Sequence, residues 1–169
     1  MHAYGFASIQ NGLIHKYKSN TLRPVLEAIQ KPQALIGHCR YSTSGDYTVE
    51  ANNQPLQHKD EYMVFNGVID MRTKPEMEKA YGIQMSCEND GEIMLQTPSR
   101  LGLLGMNISF SGIFLDKDTM TFMRNPNRPA YIGFKHGATY IASTADILKR
   151  SLIGDYTELE PYKEYKWAV

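Results

Sequence analysis

Gly37-His38-Cys39-Arg40-Tyr41-Ser42-Thr43-Ser44-Gly45 is the stretch from which the rest of the chain can be read. Ala34 to Tyr41 reads as a strand that delivers an arginine at its end, followed by hydroxyls and a glycine. A guanidinium in that place presents a planar fork of N–H donors suited to a carboxylate. For this stretch taken alone, a solvated loop arginine is an equally good reading. His38 and Cys39 do not make a dyad, because neighbours on a strand project to opposite faces.

Two further stretches carry the same ambiguity. Met63-Val64-Phe65-Asn66-Gly67-Val68-Ile69 is an apolar strand running into Asn-Gly, a pair that commonly closes a hairpin. The alternative is that the Asn66 amide and the Gly67 N–H offer two donors to a developing oxyanion. Read alone, the turn is favoured. Asn89-Asp90-Gly91-Glu92 reads as a helix N-cap with acids in the first turn, or as a carboxylate placed to hold an ammonium group.

Around these stretches the pattern is mixed. His2 to Ile9 reads as a strand, followed by a turn at Asn11-Gly12. Thr21 to Gln30 reads as a helix with Leu22, Val25, Leu26 and Ile29 at helical spacing and Asn20 or Thr21 as its cap. Ser42 to Lys59 is polar and reads as a long loop with little internal structure; loops of that length in a small domain are usually functional or disordered. Lys74 to Tyr81 reads as a helix stopped by Gly82, and Asp90 opens another through Gln96. Ile108–Leu115 and Met120–Arg124 are strands joined at Asp116-Lys117-Asp118, then Tyr131–Phe134 and Thr139–Ala142 are strands around Lys135-His136-Gly137. Ser143 or Thr144 caps a short helix through Leu152, and Glu158 to Trp167 alternates as a last strand. The sum is a single α+β domain over 1–169, with two mainly antiparallel sheets packed face to face.

Apolar residues make up 42% and charged residues 21%, ordinary for a globular protein. Lysine plus arginine equals aspartate plus glutamate at 18 each, so no basic excess points to nucleic acid or anionic lipid as a partner. No apolar run approaches the roughly 20 residues needed to span a bilayer, and no leader pattern is visible. Cys39 and Cys87 lack CxxC spacing and paired histidines. Reduced thiols in a cytoplasmic protein, with no metal and no cofactor, are therefore expected.

Each motif is weak alone, but their order is specific. Gly-His-x-Arg-Tyr-x-Thr (Gly37 to Thr43), Asn-x-Gln-Pro (Asn52 to Pro55), Asn66-Gly67 and Asp-x-Glu (Asp90 to Glu92) together resemble the class II glutamine amidotransferases. These include the glutaminase domains of amidophosphoribosyltransferase, glucosamine-6-phosphate synthase and asparagine synthetase. Arg124 to Pro129, Tyr140 to Asp146 and Thr157 to Tyr165 are similar to later segments of the same family, so the resemblance covers nearly the whole chain. It implies an N-terminal-nucleophile hydrolase fold, an αββα sandwich with two mainly antiparallel sheets flanked by helices. It also implies hydrolysis of L-glutamine to glutamate and ammonia for amide-nitrogen transfer, with a separate acceptor-binding synthase subunit as partner. By the same resemblance Arg40 grips the α-carboxylate of glutamine, with Tyr41 and Thr43 lining the pocket. Asp90 holds the α-ammonium, helped by the Gly67 carbonyl, and the Asn66 side chain and Gly67 N–H form the oxyanion hole.

One departure bears on activity. The family's nucleophile is a cysteine at the mature N-terminus, whose α-amine serves as base. Matching Gly5-Phe6 to the family's opening puts Met1 at that position; a shift by one puts His2 there and loses the match. A thioether has no acidic proton and forms no ordinary acyl intermediate. Cys39 and Cys87 are internal and expected to lack a neighbouring free amine. A glutaminase-dead relative, a substitution or shifted start that removed the cysteine, a domain turned to another ligand, and a non-enzymatic glutamine-binding or protein-interaction module all remain open.

Overall fold

The computed structural model describes residues 1–42 and 45–169. The long first strand β1 (Ala3–Gln10) turns at Asn11-Gly12 into β2 (Leu13–Ser19), and α1 (Leu22–Ala28) leads to β3 (Ala34–Arg40). A 3-10 turn over Glu50–Asn52 precedes β4 (Leu56–His58) and β5 (Glu61–Val68). Three helices follow: α2 (Lys74–Tyr81), α3 (Gly91–Gln96) and α4 (Arg100–Leu104). The second half contains β6 (Ser109–Leu115), β7 (Thr119–Arg124), β8 (Tyr131–Lys135), β9 (Ala138–Ala142), α5 (Ala145–Arg150), β10 (Tyr156–Glu158) and β11 (Tyr165–Ala168).

The strands form an antiparallel five-stranded sheet, β11-β7-β6-β5-β4, and two antiparallel three-stranded sheets, β2-β1-β3 and β10-β8-β9. Side-chain alternation along β5 and β6 gives the five-stranded sheet two apolar faces. One carries Met63, Phe65, Phe110 and Phe114, buried with Met77, Ile93, Met94 and Leu104 from α2, α3 and α4. The other carries Val64 and Leu115, which pack on Ala7, Ile9, Ala34 and Ile36 of the first small sheet. On that same face Phe122 packs on Ala130, Ile132 and Leu159 around the second small sheet. α1 contacts β1 and β2, and α5 contacts β8 and β9. The result is the expected α+β sandwich: helices, a five-stranded sheet, the two small sheets together, and helices again.

Local chemistry explains most element ends. The Glu76 carboxylate accepts from both the Thr73 N–H and its hydroxyl at the start of α2, and Gly82 ends that helix at φ 65°. The structure also corrects several expectations. Leu13–Ser19 forms a strand, although its residues are mostly exposed, because β1 supplies a full antiparallel ladder. Of the apolar series in α1 only Val25 is buried; Leu22 and Leu26 face solvent. The tail forms two strands in different sheets: β10 pairs with β8, and β11 with β7. Pro161 and Tyr162, at φ 59°, bend the chain between them. The buried Arg124 fastens that bend, donating to the Leu159 carbonyl at 2.6 Å and to Glu158 at 2.7 Å.

Candidate functional site

β3 and β9 are each the edge of a small sheet, and both border one cleft of about 610 Å³ floored by β5, β6 and β7. Register arranges that floor in rows. Val64, Ile113 and Phe122 stand opposite one another across three strands, and Asn66 and Ser111 form the next row. Rows on one face of a strand are roughly 7 Å apart. The cleft therefore has an apolar half, roofed by Ile141 and Ile147, and a polar half lined by Met1, Arg40, Asn66, Gly67, Asp90 and Arg128.

Asn66-Gly67 does not close a hairpin. Both residues lie within β5, opposite Ser111 and Phe110. Gly67 has φ 151°, and a Cβ built there would lie 1.9 Å from the Ser109 carbonyl oxygen, so no other residue fits. Backbone groups on an antiparallel strand alternate between its two sides. Phe110 exchanges its backbone bonds with Asn125 on the β7 side, which turns the Gly67 N–H away from β6. Its neighbours of the same parity show where that edge leads. The Phe65 N–H donates to Gln54 Oε1 at 2.6 Å, and the Ile69 N–H donates to Asp90 Oδ2 at 2.6 Å. The Gly67 N–H lies between these two anchored amides, at the cleft wall, with the exposed Asn66 side chain beside it.

Asp90 does not act as a side-chain cap for α3; the Asn89 side chain takes that part, Oδ1 accepting from the Gly91 N–H at 3.0 Å. Asp90 is buried and lines the cleft, and its Oδ2 also accepts from the Asp70 N–H at 3.0 Å. Burial pushes its carboxyl pKa up, against the pull of the two amide donors. Arg40 is buried too. It donates to Asn53 Oδ1 at 2.7 Å and to the Gly45 carbonyl at 3.3 Å, so its guanidinium is held in one orientation at the cleft. Thr43, expected beside it, lies outside the described residues.

The segment that reads as an unstructured loop is in fact where this anchoring originates. Asn52, Asn53 and Gln54 are all buried. Asn52 accepts from the Glu88 N–H and its carbonyl accepts from the Asn89 side chain, while Lys18 reaches across to the Asn53 carbonyl at 2.6 Å. A Cβ at Gly5 would lie 2.2 Å from the Gln54 carbonyl oxygen, so β1 and this segment approach as closely as backbones can. Asn52 to Pro55 is legible in the sequence as a motif, but the contacts of its amides with β5 and the α3 entry exist only in the folded chain.

At the N-terminus, Met1 lines the cleft and His2 does not. The His2 ring stacks between Tyr41 and Tyr47, each at 4.8 Å, and its Nδ1 accepts from the Ser42 N–H. Of the two terminal residues, Met1 alone borders the cleft. Tyr41 borders the cleft but is largely exposed. Cys39 is exposed and Cys87 buried, both unbridged. Pairing of Tyr4 with Cys39, and the His2 N–H on the Arg40 carbonyl at 2.8 Å, bring the N-terminus beside this internal cysteine; partial burial raises its thiol pKa, and the terminal ammonium works against that. Burial and the Arg40 charge together push the His38 pKa down to about 4, and its Nδ1 is buried with no hydrogen-bond partner among the described residues.

No protein-family model and no curated protein matches the sequence. Solved structures do. A glutamine phosphoribosylpyrophosphate amidotransferase from B. subtilis superposes with a TM-score of 0.77 at 19% identity, covering 98% of this chain and 40% of that one. A structure described as the allosteric regulatory enzyme of purine biosynthesis gives 0.76 at 19% identity, with 98% and 40% covered. A glutamine aminotransferase class-II domain protein from Silicibacter pomeroyi gives 0.65 at 12% identity, with 97% and 86% covered. The fold is that of a class II glutamine amidotransferase domain. The chain spans 40% of the length of each of the first two proteins. Among the described residues no helix is long and apolar enough to cross a membrane.

Proposed function

We propose that this amidotransferase-type domain binds L-glutamine in the polar half of the cleft and, with Met1 at the nucleophile position, does not hydrolyse it. The supporting observation is the Gly67 N–H. It sits between the Gln54–Phe65 and Asp90–Ile69 hydrogen bonds, beside the Asn66 amide, in a cleft that Met1 and Arg40 also line. A free amino acid needs one cationic and one anionic anchor, and its amide carbonyl needs donors where negative charge develops. Arg40 supplies the first, Asp90 with the Gly67 carbonyl the second, and Asn66 with the Gly67 N–H the third. Tyr41 belongs to the pocket rim.

Hydrolysis through a thioester requires a thiol whose proton passes to the adjacent α-amine, and Met1 has none to give. With cysteine there, the same pocket would release ammonia for an acceptor bound by a separate synthase subunit. Calorimetry with L-glutamine on the present chain tests binding, and equal affinity in Arg40→Ala would refute the anchor assignment. Ammonia release by a Met1→Cys form, with the cysteine made N-terminal by a cleavable leader, tests the chemistry. If glutamine binds and that form stays inactive with a verified N-terminal thiol, the oxyanion assignment fails. The non-enzymatic reading, a glutamine-binding or protein-interaction module, shares the first experiment and predicts no ammonia in the second.

A further inference from the structure

The glutamine reading uses one side of the cleft and leaves the other unexplained. At about 610 Å³ the cleft falls within the roughly 300–1,000 Å³ that holds drug-sized ligands, more than one amino acid fills. Across the floor from Asn66, one strand away, stands Ser111, a residue whose side chain makes no hydrogen bond among the described residues. Two positions back along β6, on the same face, Ser109 accepts a hydrogen bond from Arg128 Nε at 2.7 Å. That is the only hydrogen bond of the Arg128 side chain among the described residues, and it has no ion pair with them. Its terminal nitrogens are thus uncommitted in a wall of the cleft.

The lateral order is informative. Arg40 and Asp90 are tied to the β4 side of β5 through Asn53 and the Ile69 amide, Asn66 and Gly67 stand on β5, and Ser111 and Arg128 follow on the β6 side. Neighbouring strands are roughly 4.8 Å apart. A glutamyl group anchored at the first pair, with its amide carbonyl at Asn66 and Gly67, would direct its amide nitrogen toward β6. Anything attached to that nitrogen would meet a hydroxyl and then a guanidinium, which selects a carboxylate.

Resting on the glutamine reading, we propose that the cleft is built for a γ-glutamyl amide whose amine half carries a carboxylate, that is, a γ-glutamyl amino acid or γ-glutamyl peptide, with Arg128 as the second carboxylate anchor. Ser111 faces the amide nitrogen, and the apolar row Val64, Ile113 and Phe122 borders the side chain of the attached amino acid. Only binding is assigned, since Met1 supplies no nucleophile.

Calorimetry on the full chain with L-glutamine, γ-glutamyl-ethylamide and γ-glutamyl-alanine decides it. The last two differ by a carboxylate, so γ-glutamyl-alanine is expected to bind roughly tenfold or more tightly than the ethylamide. Arg128→Gln should erase that preference, and Arg128→Lys should restore part of it. If glutamine binds and the two amides bind equally, or neither binds, the Arg128 assignment is overturned and the glutamine site stands. If none of the three ligands binds, both are overturned. The comparison in the parent protein holds even if Arg128→Gln fails to fold.

Discussion

Asp90 is placed to do two things, and a pair of substitutions separates them. Its Oδ2 accepts from the Ile69 and Asp70 amides at 2.6 and 3.0 Å, which fixes the exit of β5 and with it the direction of the Gly67 N–H. Hydrogen bonds to a charged acceptor contribute about 1.5–3 kcal/mol each. Losing both in Asp90→Ala removes roughly 3–6 kcal/mol, offset by relief of the burial that pushes this carboxyl pKa up. A net loss of about 3 kcal/mol is expected, which lowers Tm by roughly 6–12 °C in a chain of this size. Asp90→Asn keeps a carbonyl oxygen for the same amides and should lose no more than about 1 kcal/mol, yet it removes the charge proposed to hold an α-ammonium. Urea and thermal unfolding, followed by glutamine calorimetry on the asparagine form, measure the two effects. The pH sign is also defined. A carboxyl whose folded pKa is raised stabilises below its unfolded value of 3.8 and loses that contribution as pH rises through the folded value, so Asp90→Asn should lack this decline. The reasoning is refuted if Asp90→Ala unfolds at the parent's midpoint, or if Asp90→Asn binds glutamine as the parent does.

Three other outcomes follow from the same structure. Gly67→Ala should abolish the native fold or lower its stability by more than about 3 kcal/mol, because the methyl group would meet the Ser109 carbonyl at 1.9 Å; near-UV circular dichroism and thermal melts report it. His38 binds a proton at pH 6.5 when unfolded but only near 4 when folded, so its contribution is complete above 6.5 and is lost as pH falls toward 4. At about 1.4 kcal/mol per pH unit the limit is roughly 3 kcal/mol, and His38→Gln should flatten that part of the stability–pH curve. Gln54→Ala should leave the buried Phe65 N–H without an acceptor and cost about 1–3 kcal/mol in urea unfolding, more than a loop residue otherwise would.

The order of motifs from Gly37 to Glu92 was enough to indicate the sandwich, and the strands and helix nearest them have apolar patterns that are local and readable. β3, β6 and β7 and the helix over Lys74–Tyr81 lie where their patterns put them. β2 and the split tail did not show, since an exposed strand is made by its partner's ladder and a bend by an arginine from another hairpin. Asn66-Gly67 is the sharpest case. A sequence sees a favoured turn pair, whereas ladder pairing with Ser111 and Phe110 keeps both residues in the strand.

What the sequence by itself determined is which residues are candidates for the site and the absence of a thiol in the side chain of Met1, both of which are properties of single positions. What only the tertiary structure decided is direction. The Gly67 amide points to the cleft because Asn125 occupies Phe110, Gln54 occupies Phe65 and Asp90 occupies Ile69, and those partners lie 11 to 21 residues away along the chain. Hydrogen-bond parity passes along a strand, but which side is left open depends on segments that reach it only through folding.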